Sequence, residues 1–291
     1  MSRIIARKDP GVFRTQAIEV KASPEVLCYT PVGNPLGFAQ MQAMREPIEI
    51  DDPELFDIVV ANLGVSVDLS LTWQQRQFRV LIRQKRIDQG DSVLKLISGY
   101  VPAHELRVPL LPVMTELAEE LLIEGSHGWL QGSYLDTWLP TPYAPGLPRC
   151  KRYSFKLSPR HCGTRPVLCR ELHLIERPRA YVHLPTNSLQ LVYAMQLELP
   201  ENCANMTLLH ADERFNESSG ELIVEMDYQK PEIFLAELRD GKATGELFSL
   251  VGGELQLRRP KNPWLSETLA AQSGWVVSAQ RCDWSEGLTR L

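Results

Sequence analysis

Residues 99–123 read GYVPAHELRVPLLPVMTELAEELLI. Pro112 suits the first turn of a helix, where its missing N–H is harmless, and Leu117 and Leu121, four residues apart, make one apolar stripe. Glu116 lies three residues before Glu119 and four before Glu120, so the carboxylates gather on the adjoining face. Clustering like charges costs about 0.2–0.5 kcal/mol per pair on a plain helix. The cluster is therefore either dissolved in solvent or neutralised by a divalent cation, since magnesium takes one or two carboxylates together with substrate phosphates. The pattern by itself fits a solvated face, because Glu-rich helices are common. Gly125, just beyond, supplies a stop signal for the helix.

Outward from this stretch, Phe78, Val80 and Ile82 alternate with Arg79, Leu81 and Arg83, and a second apolar run follows from Val93 to Ile97. With Asp88-Gln89-Gly90-Asp91 between them, the two runs predict a hairpin. Downstream, Leu189, Leu191, Tyr193, Met195, Leu197 and Leu199 fall on one side of a period-two pattern and predict a strand. Leu55, Ile58, Val59 and Leu63, bracketed by Asp52-Pro53 and Gly64, have the spacing of a short helix. Ile233, Phe234, Leu235 and Leu238, between Pro231 and Gly241, suggest another. Pro140, Pro142, Pro145 and Pro148 mark a long irregular connection.

The chain has 291 residues, 44% of them apolar and 23% charged, enough for one elaborated domain or two ordinary ones without a covalent staple. A net charge of −5 argues against a broad nucleic-acid footprint. No apolar run has the length of a membrane helix, and charges stand where a signal peptide needs apolar residues, so a cytoplasmic location is expected. The six cysteines are spread over a long chain, which suits reduced thiols.

The quoted stretch resembles the signature of Nudix hydrolases. Gly99 and Glu105 match its first spacing, and Thr115-Glu116-Leu117-Ala118-Glu119-Glu120-Leu121-Leu122-Ile123 matches its second half after nine residues in place of seven. Thr115 stands where the family has arginine, and Leu122 where it has glycine. The apolar run ending in basic residues at 78–86, FRVLIRQKR, resembles the strand ahead of that signature, and the strand near 189–199 the one after it. The resemblance implies an α/β (α+β) fold, a Nudix-like mixed sheet flanked by helices. The Nudix-like domain would span about 67–240 with an insertion near 130–186, after an N-terminal extension (1–66) and before a C-terminal appendage (241–291) packed on the same domain.

By the same resemblance, Glu116, Glu119 and Glu120 would hold Mg2+ or Mn2+. Glu119 and Glu120 would act in catalysis with Glu105 as a supporting carboxylate, and Arg83, Arg86 and Gly99 would meet the substrate. The implied reaction is hydrolysis of a nucleoside diphosphate linked to another moiety, by a chain open to forming a homodimer. The alternative is a Nudix-like module without catalysis that binds a nucleotide, a small ligand or a protein partner, since Thr115 brings no charge or bidentate fork.

Other groupings carry less. Cys150, His161, Cys162, Cys169 and His173 have zinc-ligand chemistry but no Cys-x-x-Cys knuckle, so buried thiols and surface histidines are the plainer reading. Asp212, Glu213, Glu221, Glu225 and Asp227 are candidates for a helping base or for solvated strand-edge charges. Gly252-Gly253 reads as a turn.

Overall fold

The computed structural model describes residues 2–7, 14–86, 91–144, 146–216, 221–260, 264–266, 274–278 and 281–283. The helix-flanked α/β architecture does not form: the structure is mostly strand, 56% against 9% helix, and the described residues hold two α-helices, α1 (Phe38–Met44) and α2 (Leu110–Glu120).

The centre is β4 (Asn62–Trp73), where Leu63, Val65, Val67, Leu69 and Leu71 alternate with Asn62, Gly64, Ser66, Asp68 and Ser70. It pairs in parallel with β12 (Ser188–Glu198), in register from Asn62 opposite Ser188 to Leu71 opposite Leu197. On its other edge β4 forms a hairpin with β5 (Arg76–Arg86), which in turn forms one with β6 (Asp91–Lys95). From β6 the chain returns to β4 as β7 (Ile97–Tyr100). Beyond β5 lie β14 (Ile233–Arg239), β15 (Lys242–Val251) and β16 (Glu254–Arg258), all antiparallel.

Beyond β12, its far edge is shared by β10 (Arg149–Arg160) and β11 (Arg179–His183). β10 runs parallel to β9 (Gly128–Tyr134), and a hairpin joins β9 to β8 (Leu121–Gly125), which pairs with β13 (Thr207–His210). The sheet curls into a half-barrel. Its two ends are bridged by His210 N–H donating to Pro231 O and Gly253 N–H donating to Met206 O, both at 2.8 Å.

A second sheet contains β1 (Thr15–Ala22), β2 (Leu27–Leu36) and β3 (Phe56–Val60), with β1 in the middle of the three. The short strand Val167–Cys169 runs parallel to β2. The odd-numbered face of β4, the inner faces of β1 and β2, and the apolar stripe of helix α2 (Leu110–Glu120) share the largest core. A smaller apolar cluster covers the opposite face of the curled sheet through Leu81, Val192, Phe234 and Ala236.

The expected hairpin, the expected strand near 189–199 and the helix after Pro109 all form. Three other readings are corrected. Residues 56–60 are β3, because Phe56, Ile58 and Val60 alternate inward while Val59 is half exposed. Residues 233–239 are β14, whose apolar run is continuous because both faces are covered: Ile233 and Leu235 enter one cluster, Phe234 and Ala236 the other. Helix α2 stops at Glu120 and passes directly into β8, so Gly125 sits in the β8–β9 hairpin and not at a helix end. Residues 130–186 contribute β10, β11 and most of β9 to the main sheet.

Candidate functional site

Helix α2 is held by Val113 and Leu117, both in the core, while Met114 and Ala118 are buried beside them. Glu116 lies over Gly99 on β7 so closely that a Cβ at 99 would overlap its carboxylate. The structure thus joins two of the sequence-predicted residues, although Glu116, Glu119 and Glu120 each already have an interaction partner within the protein. Among the described residues no group of three His, Cys, Asp or Glu side chains gathers where one cation could be held. Cys150, Cys162 and Cys169 carry free thiols.

The remaining predicted residues are dispersed. Glu105 sits in the turn before α2, its carboxylate 3.9 Å from His104 Nε2. Arg83 pairs with Glu232 at 3.4 Å and lies over the Phe234 ring. Arg86 is at the end of β5, and its side chain lies outside the described residues. Glu213 and Glu221, both on strands, share that limit.

What the structure does assemble is an apolar cavity of about 270 Å3 between the end of α2, strands β8, β9 and β10, and the proline-rich connection after residue 138. Leu122, Trp129, Leu130, Leu139, Tyr143 and Phe155 supply most of its wall. Because β9 and β10 run parallel, Gly132 lies opposite Phe155. A side chain at 132 would collide with the Phe155 ring and Leu139, so the glycine leaves that ring free to form the cavity wall.

The proline-rich connection is a second wall. Leu139 N–H donates to Gly132 O at 2.9 Å, and successive turns bond Ala144 to Thr141 and Gly146 to Tyr143. The buried Tyr143 donates its hydroxyl to the Glu119 carbonyl oxygen at 3.3 Å, tying the connection to the last turn of α2. Pro140 and Pro142, with their fixed φ, reduce the freedom this segment loses on folding.

Two polar features punctuate the apolar wall. Gln131 donates from Nε2 to Leu139 O at 2.8 Å, which leaves its Oε1 buried with no hydrogen-bond partner. Arg149 is exposed, and its guanidinium lies 5.0 Å from the ring centre of Trp138, itself 53% exposed. An unpaired buried acceptor costs about 1–3 kcal/mol, so a ligand donor reaching Gln131 would recover real free energy. The site combines a pre-formed apolar volume, an unused acceptor and an external cation.

Reading the sequence alone took the proline cluster for a connection and missed this cavity. The available signal was Tyr143 inside that cluster, an aromatic among prolines between two strand segments, which marks a packed wall and not a solvated loop. No helix among the described residues is long and apolar enough to cross a membrane. No family model, curated protein or solved structure matches the chain.

Proposed function

We propose that this protein binds a small amphipathic molecule, with an apolar body in the α2–β9–β10 cavity and an anionic end at Arg149. The observation that supports this reading is the cavity itself, pre-formed and apolar, with a guanidinium among its lining residues. Its volume lies just below the usual range of ligand pockets, roughly 300–1,000 Å3, which suits one aromatic ring with a short chain. Burying about 150 Å2 of apolar ligand surface contributes roughly 4 kcal/mol. A charge-assisted contact at Arg149 adds to this, and the freedom the ligand loses on binding offsets part of the sum.

The probe is 4-phenylbutyrate, followed through thermal stability and tryptophan fluorescence. Saturable binding is expected, abolished in Ala118→Phe and Ala144→Trp, which fill the cavity, and weakened about tenfold in Arg149→Ala. Equal affinity in the filled variants would overturn the proposal. Manganese-dependent turnover of a nucleoside diphosphate derivative, lost in Glu119→Gln, would replace it with the hydrolytic reading.

A further inference from the structure

A second concavity, of about 470 Å3, opens where the loop before β14 meets the end of β16, and it shares no lining residue with the first. Arg83, Lys230, Arg258 and Arg259 line it against the single carboxylate of Glu232. On a chain whose net charge is −5, this is a local reversal of sign.

Two of the four cations are held in place by the fold. Arg258 donates from Nε to Ser249 Oγ at 3.2 Å, and that fully buried serine donates to Ile233 O at 2.9 Å. Arg83 lies 5.3 Å from the Phe234 ring centre and 3.4 Å from Glu232. Its Nε is buried and makes no hydrogen bond, so part of its donor fork is unused. Lys230 and Arg259 stand exposed at the rim. Guanidinium forks match phosphate oxygens bidentately, and a flexible ammonium adds a mobile point charge.

We propose that this groove binds a compact oligophosphate, a ligand carrying two or more adjacent phosphate groups. Four cations against one carboxylate leave an excess that a single phosphate does not neutralise. The bounded volume and the acidic remainder of the surface disfavour a long polyanion that would run past the groove.

The test is titration calorimetry with inorganic tripolyphosphate and with orthophosphate, at about 50 and about 200 mM salt. Tripolyphosphate is expected to bind at least about tenfold tighter than orthophosphate and to weaken with salt. The double variant Lys230→Ala/Arg259→Ala, at two exposed positions, is expected to lose at least about tenfold in affinity. Lys151→Ala/Arg152→Ala, also exposed but outside the groove, should bind as the parent does. Should the double variant fail to fold, the single reversal Arg259→Glu reads the same loss. Equal affinity for the two phosphates, or unchanged binding in the groove variants, would overturn the proposal. So would tighter binding of a single-stranded oligonucleotide.

Discussion

Two buried positions show how much can rest on one side chain. Gly132 faces the Phe155 ring, which is only 3% exposed and has little room to retreat. Gly132→Ala is expected to lower stability by about 1–3 kcal/mol, measured by urea unfolding, and to weaken 4-phenylbutyrate binding by displacing that wall. Glu237 is buried at 6% exposure, accepting hydrogen bonds from Arg76 Nε at 2.8 Å and Thr244 Oγ1 at 3.0 Å. The Arg76 hydrogen bond is the main reason its carboxyl titrates below the ordinary glutamate range. Because the folded pKa lies below the unfolded one, this stabilisation is complete above the ordinary glutamate pKa and disappears as pH falls through the folded value. Glu237→Gln is therefore expected to cost about 1–2 kcal/mol at neutral pH, the half-exposed Arg76 moderating the loss. The gap from the parent should close in acid, which thermal melts across pH would show.

Among the elements, the proline-rich connection is the part whose mechanical role is most open to test. Tyr143→Phe removes the hydroxyl bonded to the Glu119 carbonyl while keeping the ring in the cavity wall. It is expected to cost about 1 kcal/mol and to weaken ligand binding several-fold, with faster amide exchange in the connection as the reporting measurement. The legibility of elements followed how many of their faces are covered. The hairpin at β5–β6 and strand β12 were readable because their apolar residues alternate or run between turn signals. Helix α2 was readable because Pro112 falls in its first turn, although Leu121, read as part of its apolar stripe, begins β8.

Strand β14 was not readable as a strand. With Ile233 and Leu235 buried on one side and Phe234 and Ala236 on the other, it shows no alternation, and a short unbroken apolar run fits either element. Strand β3 was hidden by coincidence: of the four apolar residues with helical spacing, only Ile58 and Val59 lie in it, while Leu55 precedes it and Leu63 belongs to β4. The candidate cavity needed more than local pattern. Its wall depends on the parallel pairing of β9 with β10 and on a connection folding back to α2, neither of which any sequence window contains.

The molecule as a whole is organised by non-local pairing. The two central strands, β4 and β12, lie side by side in parallel, yet partners such as Ser70 and Gln196 are 126 residues apart in the chain. Closing so long a loop before any pairing energy is recovered slows folding, as in other topologies rich in distant contacts. On a ribosome adding about 5–20 residues per second, one flank of β4 waits roughly 6–25 s for its neighbour. During that interval an apolar ribbon whose other flank is already zipped into the β4–β5 hairpin offers unpaired amides to any passing strand. The architecture that builds a rigid half-barrel thus makes the nascent polypeptide a natural client for chaperones until translation has passed residue 198.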